Sequence, residues 1–105
     1  MLFRSHLDPF PMSDADKKEL RKRFVHLTSM GMRNKKNILE QMHSRWIIDE
    51  EKIEDIMNKE RQKEKVEAIL RAAMSNGRRL SDFIAILRCT ENKRLTEMFG
   101  AHHST

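Results

Sequence analysis

The side chains that do covalent or metal chemistry are few in this chain, and their spacing argues against such chemistry. Cys89 in "LRCTE" is the one thiol. No local nucleophile signature of the Q-A-C-x-G kind surrounds it. It reads as a small apolar side chain at the end of a helix. The five histidines stand at positions 6, 26, 43, 102 and 103. None makes the H-x-x-x-H pair that puts two ring nitrogens on one helix face, and no cysteine stands at zinc spacing from them. Three glycines do not make a phosphate-cradling loop. Asp49, Glu50, Glu51, Glu54 and Asp55 crowd one helix start. Carboxylates doing acid–base work need a pocket that separates their pKa values, and a run of this kind reads as a solvated acidic face. No catalytic, cofactor-binding or metal residue emerges, no cofactor is expected, and the chain reads as non-enzymatic.

The remaining chemistry is charge, and it is segregated. Lys18, Arg21 and Lys22 point away from the apolar Leu20/Phe24/Leu27 stripe, with Lys17 and Arg23 on its flanks. Arg61, Lys63, Lys65 and Arg71 add a second basic set. The acids at 49–55 form a separate group. Taken singly, each reads as a residue that solvates its helix. Taken together, a positive and a separate negative face let a molecule bind copies of itself or its relatives head to tail. The formal net charge of +5, from 21 basic and 16 acidic residues, keeps a small basic nucleic-acid-binding domain as the alternative. Against it stand the acidic helix, the lack of tyrosine and the core spacing of the phenylalanines. A membrane-surface helix needs a wide apolar face, and the stripe on the first helix is narrow. No apolar run approaches the ~20 residues of a membrane span.

The elements that carry these faces are helices. With 105 residues the chain holds one domain, and 38% hydrophobic residues suffice for a core. Alternating β-branched runs are absent. A single cysteine rules out an internal disulfide and points to a reducing, cytoplasmic setting. Residues 1–12 read as a flexible leader, with Met12 an alternative start. Residues 13–99 read as the helical bundle, and 100–105 as a disordered tail.

The spacing predicts a first helix from about Asp14 to Met30, capped by Ser13 with Asp16 three residues on, and ended by Gly31. A second covers about Asn34 to Arg45, with Ile38, Leu39 and Met42 inward. "WIIDEE" is a turn with apolar anchors, and Asp49 caps a third helix bearing Ile53, Ile56 and Met57. A fourth begins near Arg61 and carries Val66, Ile69, Leu70, Ala73 and Met74 up to the "SNG" stop. The fifth carries Leu80, Phe83, Ile84, Ile86 and Leu87. Thr90 is the expected cap of a last short helix with Leu95, Met98 and Phe99. Six short helices joined by short connections make antiparallel neighbours.

In this order the pieces resemble a caspase recruitment domain of the death-fold superfamily over about residues 14–99. "ILEQMHSRWIIDEEKIEDI" resembles that family's second helix, turn and third helix. "KEKVEAILRAAMSNGRRLSDFIAILRCTENKRLTEMF" resembles its last three helices, and "DADKKELRKRF" the basic first helix of initiator-caspase domains. The resemblance implies an all-α, six-helix antiparallel Greek-key bundle that binds other such domains. Its partner would be a caspase, an adaptor or an apoptosome-type scaffold, or a second copy, with neither membrane nor nucleic acid involved. The chain would be an initiator-caspase prodomain, an adaptor domain or a stand-alone regulator. The resemblance also implies a basic protein-binding patch, here Lys18, Arg21, Lys22, Arg61 and Lys63, and an acidic one, here Asp49, Glu50, Glu51, Glu54 and Asp55. Trp46 takes the place of a turn residue that is often glycine, and is either a core anchor or an exposed binding anchor. Glu67 stands where relatives can have arginine. Arg78 replaces a frequent proline.

Overall fold

A computed structural model describes residues 12–76 and 79–99. Residues 1–11 of the expected leader, the Gly77 turn with Arg78, the side chain of Met98 and the tail lie outside the described residues. Those residues form seven α-helices and one closing 3-10 turn, and no strand is found among them. The helices are α1 (Asp14–Lys22), α2 (Phe24–Met30), α3 (Lys35–Ser44), α4 (Glu50–Met57), α5 (Gln62–Asn76), α6 (Leu80–Cys89) and α7 (Lys93–Thr96), followed by Glu97–Phe99.

The all-α class is as expected. The count differs because the long first helix is two helices, broken at Arg23. The backbone there leaves the helical region, with φ −107° and ψ 3°. Arg23 is drawn in two directions. One guanidinium nitrogen donates to the Glu19 carbonyl and carboxylate, at 3.1 and 2.9 Å, and the guanidinium lies 5.3 Å from the centre of the Phe99 ring. The break therefore packs against the end of the described chain. It has no local signature, since the Leu20/Phe24/Leu27 spacing runs through it without interruption.

The core is built from the expected positions. Leu20, Leu27, Ile38, Leu39, Met42, Ile56, Val66, Ile69, Leu70, Ala73, Leu95 and Phe99 are buried, as are all five inward residues of α6. Phe24, Ile53, Met57 and Met74 pack on it partly buried. Met12 is buried too, and its N–H donates to the Met74 carbonyl at 3.1 Å. α5 is the hub, touching α1, α2, α3 and α4. This follows from its length, because its 15 residues reach about 22 Å at 1.5 Å per residue.

Polar side chains cap the helices and tie distant turns of the bundle together. Ser13 caps α1 as expected, accepting from the Asp16 N–H at 3.2 Å. The Asp16 carboxylate, however, accepts from the Leu80 N–H at 2.9 Å. It thus satisfies an orphan donor at the start of a different helix, α6, where a negative charge is favoured. Thr90 does not cap the last helix. Its hydroxyl turns back to the Ile86 and Leu87 carbonyls, closing the end of α6. Asn92, almost fully buried, precedes α7 and pairs with the Arg33 backbone in both directions. Its Oδ1 accepts from the Arg33 N–H at 2.8 Å, and its Nδ2 donates to the Arg33 carbonyl at 2.9 Å. Asn34, at φ 55°, donates to the Thr90 carbonyl at 2.8 Å. The α2–α3 and α6–α7 turns are tied together by these bonds.

Candidate protein-interaction faces

The acidic face rests on α4. Asp49 sits at its N-cap, and its carboxylate accepts from the Lys52 N–H at 2.9 Å. Glu50 and Glu51 fill the first turn, where carboxylates are stabilised by the helix dipole. All five carboxylates, Asp49 to Asp55, are exposed. They divide into two groups. Asp49 and Asp55 line a groove of about 680 Å³ between α4 and α5, with Lys52, Lys59, Glu64, Glu67 and Arg71. Glu50, Glu51 and Glu54 lie outside it. The groove carries both signs, so the negative field comes from the outer three.

The basic face rests on α1. Lys18, Arg21 and Lys22 are exposed. Lys22 lies 3.5 Å from Glu19. Glu19 is also bridged by Arg23 at 2.9 Å. Desolvation pushes the Glu19 pKa up, and the Arg23 and Lys22 cations together more than reverse it, so the carboxyl titrates below its usual range. Arg23 thus belongs to the fold and leaves Lys18, Arg21 and Lys22 as the outward group.

Arg61 and Lys63 are exposed at the beginning of α5. The C-terminal half of α5 meets the start of the described chain through the Met12 N–H on the Met74 carbonyl, and meets α2 through the Arg71 guanidinium over the Phe24 ring, 5.8 Å from its centre. On α5 itself, Lys63 and Lys65 are two residues apart and so point to roughly opposite sides of the helix.

Lys65 has a neighbour that the sequence reading missed. Lys35, in the first turn of α3, is partly buried, and its ammonium donates to the Met32 carbonyl at 2.9 Å. Burial, and then the charge of Lys65, hold its pKa below the usual lysine value. A signal was available. α3 has no acid in its first turn and starts on two lysines, the wrong sign for a helix N-terminus.

Cys89 ends α6, as expected, and is exposed. It falls on the outer face of α6, whose inward positions end at Leu87. Trp46 is half exposed, at φ 65°. Among the described residues, no group of histidine, cysteine or acidic side chains is placed to hold a metal ion. No helix among them is long and apolar enough to cross a membrane. No protein-family model, no curated protein and no solved structure matches this chain.

Proposed function

We propose that this chain is a homotypic protein-interaction module of the caspase-recruitment type, which recruits or regulates caspases in apoptotic or inflammatory signalling. On this reading α1 and α2 together count as one broken helix, and the bundle is the six-helix Greek key of that family. Its partner is another such domain, in a caspase, an adaptor or an apoptosome-type scaffold, and it works in the cytoplasm.

The observation that carries the reading is the separation of charge on exposed helices. Glu50, Glu51 and Glu54 stand on α4, and Lys18, Arg21 and Lys22 on α1, all exposed. Among the described residues, no ion pair joins the two sets. Like charges held together on one helix repel by a few tenths of a kcal/mol per pair. A partner of opposite sign relieves that repulsion and gains steering. The positive φ at Trp46 adds support, since this is the conformation that glycine tolerates best, at the position where the resemblance expects glycine.

The test uses purified caspase recruitment domains of caspases and adaptors, one per pull-down, against the wild-type chain, Arg21→Glu and Glu54→Arg. At least one domain is expected to be retained by the wild type and lost by a reversal, with the helical circular dichroism unchanged. Retention of none, together with a gel shift of duplex RNA or DNA at physiological salt, would support a nucleic-acid-binding domain instead.

A further inference from the structure

Among the described residues four take a positive φ, and three of them fall in two turns that touch. Gly31, at 79°, and Asn34, at 55°, lie between α2 and α3, and Glu91, at 66°, lies between α6 and α7. Asn92 makes the touch, holding the Arg33 N–H and carbonyl at 2.8 and 2.9 Å. Glu91 follows the C-cap of α6, a place where the left-handed turn favours glycine. The Asn92 N–H closes that turn on the Leu87 carbonyl at 2.8 Å. A glutamate held in this conformation carries a cost, and positions of this kind gather at sites that hold a ligand.

A hollow of about 420 Å³ lies between the two turns, lined by Met30, Arg33, Glu91, Arg94 and Leu95 among others. Its size falls in the ~300–1,000 Å³ range of ligand sites. Arg33 and Arg94 are both exposed, and among the described residues neither guanidinium has a hydrogen-bond or ion-pair partner. The Arg33 backbone is fixed at its N–H and its carbonyl, so that side chain starts from a set position and less freedom is lost on binding. Two arginines at one hollow are suited to a carboxylate or a phosphate. Three features favour a carboxylate on a peptide. The hollow is far larger than a phosphate ion. Met30, exposed, and Leu95, buried, give it an apolar side that a bare anion cannot use. Glu91 opposes a compact polyanion, and its carboxylate is an acceptor for a peptide N–H.

We propose that this hollow is a binding site for a peptide segment of a partner protein, with one carboxylate side chain between Arg33 and Arg94 and a neighbouring apolar side chain against Met30 and Leu95. None of the α1 and α4 charges of the two-face reading lines it. The site therefore stands or falls separately from that reading.

Amide NMR spectra of the isotope-labelled chain at physiological salt test it. The probe is the blocked pentapeptide alanine-leucine-glutamate-leucine-alanine, and its counterpart has glutamine in place of glutamate. The glutamate peptide is expected to give saturable shifts concentrated at residues 30–34 and 91–95, and the glutamine peptide to give few. Arg33→Gln and Arg94→Gln should each bind the glutamate peptide roughly ten-fold more weakly, with melting unchanged, since both side chains are exposed. Arg88→Gln removes the same charge from an exposed position outside the hollow and should bind as the wild type does. An equal loss in Arg88→Gln would reduce the effect to net charge and overturn the site. Equal binding of the two peptides would overturn the carboxylate. Inorganic phosphate or a short single-stranded DNA giving the same shifts at lower concentration would overturn the peptide as occupant. A fall of several degrees in both arginine variants would assign these side chains to the fold, and no shift in either turn up to ~5 mM peptide would overturn the proposal outright.

Discussion

A primary amide has the same donor and acceptor as a peptide group, so a buried asparagine can pair with a backbone as a strand would. Asn92 does this with Arg33, 59 residues away in the chain. Its Nδ2 also reaches the Thr90 carbonyl and hydroxyl. Removing the amide leaves partly buried backbone groups without partners, at a cost of about 1–3 kcal/mol. Asn92→Ala is therefore expected to lower the urea midpoint by that equivalent, with an unchanged slope. Asn92→Asp, which keeps the acceptor and loses the donors, should not restore it. Glu19 supplies a second prediction at this scale. Its folded pKa lies below the ordinary 4.5. The stabilisation it contributes is thus complete above that ordinary value and is lost as pH falls through the folded one. The melting temperature is expected to drop on acidification below about pH 4.5, and Glu19→Gln should flatten that part of the drop. An unchanged acid limb in Glu19→Gln would remove Glu19 from the acid response.

At the scale of elements, α6 was the most legible helix. Its apolar residues fall at the spacing of one face, and Leu80, Phe83, Ile84, Ile86 and Leu87 are all buried. Phe83 is completely buried, so Phe83→Ala is expected to cost about 3–5 kcal/mol. For a domain that holds ~5–15 kcal/mol in total, calorimetry should show a large loss or a failure to fold. A melt within two or three degrees of wild type would contradict this burial. What the sequence hid at this scale was tertiary. Arg23, at the break, packs over Phe99, which lies 76 positions further on. Asp16 looked like a local cap residue, and its carboxylate serves α6 across 64 positions. Thr90 looked like an N-cap because short polar residues cap either end of a helix through local bonds, and only the observed hydroxyl contacts decide which. The charged faces were legible as sets on helices. Their relative placement was not, because periodicity fixes which side of a helix a residue takes and says nothing of which helix lies beside it.

On the proposed reading the whole molecule presents two charged faces, on α4 and on α1, and the consequence is a matter of valence. A copy with one acidic and one basic face can add a neighbour at each, so the wild-type chain is expected to form open-ended assemblies as concentration rises and salt falls. Arg21→Glu closes growth at α1 and leaves α4 competent. Glu54→Arg closes growth at α4 and leaves α1 competent. Each alone should stay monomeric, because its intact face meets only a repelling one on another copy, and a like-charge contact costs several kcal/mol. Mixed one to one, they differ from either alone. The intact α4 of Arg21→Glu finds the intact α1 of Glu54→Arg, and one-to-one pairs should form through an interface that neither substitution touches. Growth beyond pairs then requires the reversed α1 face of one variant to meet the reversed α4 face of the other, and it will occur only if positions 21 and 54 face each other in the contact. Light scattering on the singles and on the mixture separates these cases by mass alone, with circular dichroism confirming that all remain helical. Pairs without growth would mean true faces whose residues 21 and 54 do not touch. Longer assemblies would mean that these two positions are direct mates. Two folded variants that each assemble like the wild type would show that neither face carries the contact, and would return Lys18, Arg21, Lys22 and the α4 carboxylates to the role of solvating their helices.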